Sequence, residues 1–392
     1  MTSDELDDGE ADDDPIVDPP APDHAWIQPA DLPPAEVTRE LFLRWRAARR
    51  GAAHPERMTN PVWTWLVGAP EVTAYQVRRH FGVDVQPTDA GWTHQRYGQS
   101  RTALPDGRVI AIGGEHEDGY DPDFFIYNDV IVTGADGTVE ILGYPPAAFP
   151  PTDFHSATLV GDRIIVIGNL GYTRGRGPVT QVYALELATM TFAPIAATGD
   201  HPGWLSRHDA ALSADGARVT VRGGQQEIRV GQRTLLRENP DAYTLDLTTR
   251  VWTRDTALPW SSWDFAPAPG HHSQLYLIGW LADHAARDTD YDRERAAEHR
   301  AQLGRDPDLA AHAARYQPPC PHTPLPRVDD EYGTRRIVVD GVVVRYVERI
   351  GTVRLTIEGV LPEALVATIV DDLRAKLATV EAMPYVATRL DG

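Results

Sequence analysis

Cysteine is nearly absent from this 392-residue chain: Cys320 stands alone. A single thiol excludes an intramolecular disulfide framework and any multi-cysteine metal cluster. Lysine is as scarce, with Lys376 its only instance, so the basic side chains are almost all arginines, which reads as compositional bias. Basic charge is short overall, 37 Lys+Arg against 57 Asp+Glu, a net −20. Without a basic excess to neutralise phosphates, a general nucleic-acid surface is not expected. No run of about 18 apolar residues occurs, so no membrane span is expected either. The chain opens on acids, the opposite of a secretory signal. Cytoplasmic residence is the resulting expectation.

What the chain has in quantity is acid at its start and order in its middle. Residues 1–23 hold ten acids and no Lys or Arg. Such a segment buries too little apolar surface to offset its ordering entropy, so residues 1–24 are predicted to be a disordered acidic tail. Four apolar runs then end in glycine at nearly constant spacing: 109–114 (VIAIGG), 164–169 (IIVIGN), 219–224 (VTVRGG) and 275–280 (LYLIGW). Gly113, Gly168, Gly223 and Gly279 lie 55, 55 and 56 residues apart. Four strands in constant register mark an internal repeat. A Ser/His-x-x-x-Leu step precedes the first three (Ser100, His155, His208), and turn residues such as Asp106-Gly107 separate step from strand. After each of these glycine runs a Tyr opens a further strand, at Tyr127, Tyr183 and Tyr243. Phe192 and Trp252 follow nine residues later in the second and third units.

This layout of apolar strand, Gly-Gly, Tyr and then Trp, at about 50 residues per unit, resembles kelch repeats. The resemblance covers roughly residues 90–280 and implies an all-β-dominated fold, a kelch-like β-propeller of the galactose-oxidase-like superfamily with four recognisable blades. Each blade has faces that only neighbouring blades can cover, hence radial stacking. Unit two departs with Gly168-Asn169 and unit four with Gly279-Trp280 and no later Tyr or Trp. Strands at 335–339, 342–348 and 352–358, the first two joined by an Asp340-Gly341 hairpin signal, are expected to form a fifth blade or a separate small α+β unit.

The rest of the chain frames the repeats. Residues 25–87 read as a helical segment packing on them, with helices at 36–50 and 70–81, the latter with Pro70 in its first turn, and a Trp-rich stretch between. The repeats occupy 88–280, and a charged helix with a Pro-rich linker occupies 281–327. Residues 328–392 hold three strands and a helix over about 362–381, whose Leu365, Ile369, Leu373, Leu377 and Val380 share one face.

In kelch-like propellers the loops after Gly-Gly and those joining blades share a partner-binding face. Carried onto this sequence, these are 115–125, 170–178 and 225–240, with 88–99, 143–154, 198–207 and 260–272. Their candidate binding residues are Trp92, His94, Phe149, Asp153, Arg174, Arg176, His201, Trp204, Arg207, Trp260 and Trp263, an aromatic and arginine set typical of interface anchors. Packing of the Trp residues as blade caps is the other reading. The loop GEHEDGYDPDFF is a speculative metal site through Glu115, His116, Glu117, Asp121 and Asp123, or a docking site for a basic partner. It does not match the EF-hand spacing, and the Glu-xxx-Asp-xxx-His motif of kelch-type nitrile specifiers fails at Phe125. The Cys–Tyr copper chemistry of galactose oxidase has no support, because Cys320 lies beyond the repeats. The resemblance gives His155 and His208 a blade-to-blade hydrogen-bonding role. No catalytic constellation is recognised.

The functional expectation is therefore a non-enzymatic module that binds a protein or peptide through its loop face, without cofactor. The alternative is an isomerase- or lyase-type enzyme of sugars or other small molecules, where His201, His208 and Asp153 converge with Arg207 at the funnel mouth.

Overall fold

The computed structural model describes residues 27–58, 60–83, 90–118, 121–230, 233–256, 258–326 and 333–390. The expected acidic tail lies outside them. Strands outweigh helices, 33% against 23%, so the fold is β-dominated with added helices. Two compact bodies divide it: Met1–Ala196 with Trp204–His208, and Ala197–Gly203 with Asp209–Gly392.

The first body contains two antiparallel meanders built from the first two repeats. One runs Ser100–Ala103, Val109–Ile112, Val130–Thr133, Val139–Gly143 in neighbour order, with Glu56–Arg57 added on its outer edge. The other runs Ser156–Val160, Arg163–Ile167, Val182–Glu186, Thr191–Pro194. The glycine-terminated run is the second strand each time, and the third strand either follows the repeated Tyr, as after Tyr127, or contains it, as with Tyr183. Both faces of these strands are buried, and alternation decides which core each side chain joins. Ile110 and Ile112, Ile164 and Val166 share one with Val130, Leu185 and Phe192, while Ala111 and Ile131 pack with the N-terminal helices. The third repeat forms a meander of the same order within the second body, Asp209–Leu212, Arg218–Arg222, Ala242–Asp246, Val251–Arg254, with Thr198–Gly199 running parallel to the last.

Comparing strand registers corrects one alignment. Spacing to the following Leu sets Ser100 beside His155. Pairing instead matches Ser100 with Ile112, Ser156 with Ile167 and Asp209 with Arg222, each partner lying just before the first repeat glycine. Ser100, Ser156 and Asp209 are thus equivalent, and Gln99 stands where His155 and His208 do. The offset arises because Leu104 falls just past its strand, Ser100–Ala103, whereas Leu159 and Leu212 lie within theirs.

The fourth run is not a strand. Leu275–Asp283 is an α-helix, with Leu275, Ile278 and Leu281 buried along one side. A short apolar run fits either period, and the apolar spacing at 275, 278 and 281 follows a helix. The fourth sheet instead takes Ser261–Pro267 and lays it between Thr352–Glu358 and Tyr385–Arg389, all antiparallel. Thr334–Val339 and Val342–Arg349 extend that sheet through a two-residue turn in which Asp340 and Gly341 both have positive φ, 48° and 79°. The helices cover one face of it, and Phe265, Leu355, Ile278, Ile369 and Leu377 form their common core. The C-terminal helix spans Glu363–Glu381.

At the N-terminus the helices are Arg39–Trp45, Pro61–Gly68 and Ala74–His80. The last begins four residues after Pro70, because Thr73 and Gln76 form a capping box there. The Trp-rich stretch is itself a helix, capped by Asn60, whose side chain accepts from the Val62 and Trp63 N–H groups. Trp63 stacks on Trp92 with centroids 4.9 Å apart, fixing these helices on the first sheet.

Two of the repeat glycines, Gly113 and Gly168, are required by what passes beside them, whereas Gly223 has open space around it. A Cβ on Gly168, whose φ is +80°, would lie 2.5 Å from the Leu205 carbonyl oxygen and 2.6 Å from the His208 ring. A Cβ on Gly113 would meet the Thr152 carbonyl oxygen at 2.1 Å. Gly168→Ala is therefore expected to destabilise the protein by about 2 kcal/mol or more. Gly216→Ala has a similar φ, +71°, but open space around it, and should cost about 1 kcal/mol. Urea unfolding of both variants separates the steric term from the conformational one; equal losses would contradict this reading.

Candidate functional site

The repeats of the first body are joined by a regular polar seam. The Gly114 N–H donates to the Thr152 carbonyl at 2.8 Å, and the equivalent Asn169 N–H to the Leu205 carbonyl at 2.9 Å. Two residues on, the Phe154 N–H donates to the Gly98 carbonyl and the Arg207 N–H to the Phe154 carbonyl, at 2.8 and 2.7 Å. Gly98, Phe154 and Arg207 all have positive φ, 62°, 47° and 58°. A side chain in that region is uncommon, and its recurrence at one repeat position shows that the seam imposes it. The Arg207 guanidinium lies 3.3 Å from the centre of the Phe154 ring, a cation–π contact between neighbouring rungs.

Histidines close the same seam. His155 Nε2 hydrogen-bonds Ser100 Oγ at 2.8 Å, and His208 Nε2 bonds Ser156 Oγ at 2.9 Å. Both rings are buried and neither Nδ1 has a hydrogen-bond partner. Burial pushes His155 down to about 3, with the neighbouring His208 adding to the effect. Burial alone takes His208 to about 4.

Several expected interface residues lie inside instead. Trp92 (4% exposed), His94, Phe149, Asp153, Trp204 and Trp263 are buried, so none is a rim anchor. Trp92 donates from Nε1 to Asp129, which also pairs with Arg96 through a side chain that is fully buried. Burial, with Arg96 and Arg101 nearby, takes His94 down to about 4. Phe149 stacks on Phe192 at 3.7 Å, and Trp204 Nε1 donates to the Leu170 carbonyl at 3.1 Å. Trp263 belongs to the core of the fourth sheet. Apolar bulk with one polar atom suits burial as well as exposure, so composition alone does not sort these residues. Asp153 and His208 are likewise held in internal hydrogen bonds. Arg174 and Arg207 are exposed and Arg176 half-buried in the first body; in the second, His201 and Trp260 are half-buried, with Arg237 over the Trp260 ring at 4.0 Å.

The acidic loop is a β-hairpin, Glu115–Asp118 paired with Asp121–Ile126. Its base is held by Tyr97, whose N–H and carbonyl both bond Glu115, and by Tyr172, whose hydroxyl accepts from the Ile126 N–H at 2.9 Å. Glu115 and His116 are buried. The side chains of Glu117, Asp121 and Asp123, on which the expected metal site depends, lie outside the described residues. Among the described residues no three His, Cys, Asp or Glu are grouped to hold a metal ion. The sequence did not single out the aromatics around this hairpin: Tyr97 is 64%, Phe124 41% and Tyr172 38% exposed. Phe124 and Tyr172 meet edge to face at 5.7 Å. Single exposed aromatics are common, but here three stand on one hairpin and the residues that support it.

No family model matches the chain. A curated protein of Xenopus laevis, the Rab9 effector protein with kelch motifs, is 35% identical to it over 88 residues, 22% of either chain. The chain thus aligns with under a quarter of that protein's length. No helix among the described residues is long and apolar enough to cross a membrane.

The buried imidazoles set an acid limit to stability. Each stays neutral when folded but takes a proton near pH 6.5 when unfolded, so its contribution is complete above that value and lost as pH falls toward 4. The loss is about 1.4 kcal/mol per histidine for each pH unit within that window. Unfolding free energies measured from pH 8 to 4 should fall below about pH 6.5, and less steeply in His155→Gln/His208→Gln. A profile flat to pH 4, or an equal slope in the variant, would refute the assignment.

Proposed function

We propose that this chain is a kelch-type module that binds a protein or peptide through the hairpin-bearing face of its first body. The observation that carries the reading is the exposed aromatic set Tyr97, Phe124 and Tyr172 around the 115–126 hairpin. Aromatic side chains give large contact area at small entropy cost and recur as interface anchors. Arg174 and Arg207, exposed in the same body, add charged groups for orientation. The kelch-motif resemblance to a protein named as a Rab9 effector supports binding as the mode of action, without assigning that partner here. The hairpin's acids favour a segment that carries positive charge.

The reading is tested by quantitative capture from an extract of the source organism, comparing wild type with Tyr97→Ala/Phe124→Ala. Neither side chain is buried, so the variant should keep wild-type thermal stability. A protein retained by wild type should fall at least tenfold on the variant. Equal retention, or nothing specifically retained by wild type, would overturn the proposal.

A further inference from the structure

The last strand of the second sheet, Thr191–Pro194, has a neighbouring strand on one side only. Just beyond it the Ile195 N–H points inward and bonds the Val182 carbonyl at 2.9 Å. Alternation then turns the Phe192 N–H outward, and Pro194 has no N–H to offer. The strand's one outward amide donor is not left to water: it donates to Nε2 of His54 at 2.8 Å. His54 belongs to a strap, residues 51–58, whose two ends are fixed to the first sheet. The Gly51 N–H donates to the Tyr144 carbonyl at 3.2 Å and the Met58 N–H to the Ile141 carbonyl at 2.8 Å, while Glu56 and Arg57 pair with Gly143 and Leu142. Between these ties His54 reaches across to the second sheet, with its ring edge-on to Tyr144 at 5.7 Å. The Tyr144 hydroxyl makes a second tie, donating to the Met190 carbonyl at 2.7 Å, and burial raises its pKa, so that tie keeps its proton.

An imidazole accepts at Nε2 only when it is neutral and carries its proton on Nδ1; imidazolium has two donors and no lone pair. His54 is also exposed, so protons reach it freely. We propose that His54 is a proton-operated clasp between the strap and the second sheet. Neutral, it closes the strap onto Phe192; protonated, it sets one N–H against another and lets go. The charged groups on the surrounding elements do not replace that bond. On the strap and beside it, Arg49 pairs with Glu56 at 2.8 Å, Arg57 pairs with Glu140 of the first sheet at 2.6 Å, and Arg50 donates to Asn128. Strand Thr191–Pro194 has no ionisable side chain, and its neighbour Val182–Glu186 brings Tyr183 and Glu186, the latter 3.9 Å from Arg163. None of these carboxylates bonds the ring, so charging it brings no compensating partner. The proton and the Phe192 N–H compete for one lone pair. The clasp is therefore complete above the ring's titration and is lost as pH falls through it. It works whatever the hairpin-bearing face binds, and it stands if the binding reading fails.

The test uses the whole chain labelled with ¹⁵N. Ring spectra above the titration should show His54 with its proton on Nδ1 and none on Nε2. Exchange of the Phe192 amide is then followed through the His54 titration, relative to the Ile195 amide on the inner side of the same edge and corrected for intrinsic rates. Its relative protection should fall about fivefold or more, with the same midpoint as the ring. In His54→Gln the side-chain carbonyl accepts without titrating, so the protection should hold at every pH; in His54→Ala it should be low at every pH. His54 is exposed, so both variants should fold. An Nε2–H tautomer above the titration, protection of Phe192 that stays flat while the ring titrates, or the same loss in His54→Gln would overturn the clasp.

Discussion

The first body depends on one close approach: the backbone that follows runs past the glycines that end the first two apolar strands, Gly113 and Gly168. With no Cβ at Gly113 or Gly168, the carbonyls of Thr152 and Leu205 come near enough to accept from the Gly114 and Asn169 N–H groups. The same passage carries the Gly98, Phe154 and Arg207 rungs and sets the Ser–His pairs beside them. Hydrophobic burial inside each meander supplies most of the stabilising free energy, but it is non-directional and leaves the junction between meanders undefined. The seam fixes that junction with paired polar groups, each of which would be costly to bury alone.

The seam also accounts for the interior histidines and the buried acid. A residue two places beyond the passing carbonyl has positive φ, and the next one turns its side chain inward onto the preceding repeat. Where that residue is His155 or His208, it finds a serine. Asp153 lies between the passing carbonyl of Thr152 and His155, and its side chain accepts from the Gly171 N–H in the loop that follows Gly168. Seam and candidate binding face are therefore built from the same short segments. The hairpin's exposed aromatics sit on a base that the seam orders.

Much of this was legible in the sequence because the repeat is written in backbone requirements. Gly113, Gly168 and Gly223 marked three real strand ends, and Asp340-Gly341 marked a real hairpin. Gly279 followed the same spacing but fell inside a helix, since LYLIGWLAD presents Leu275, Ile278 and Leu281 on one side as readily as it would alternate. The candidate site was harder to read. Trp92, Phe149 and Trp204 have the composition of interface anchors but pack the interior, whereas Tyr97 and Tyr172 escaped notice because one exposed Tyr carries no pattern. What distinguishes them is contact with a hairpin whose strands the sequence, rich in acid, did not suggest.

Native-state hydrogen exchange at the seam amides tests this account most directly. The Gly114, Phe154, Asn169 and Arg207 N–H groups should exchange with one common free energy, the highest in the first body, because none opens without parting adjacent repeats. Separate free energies for these four amides, or exchange faster than that of strand amides inside either meander, would contradict the claim that the seam holds the repeats together.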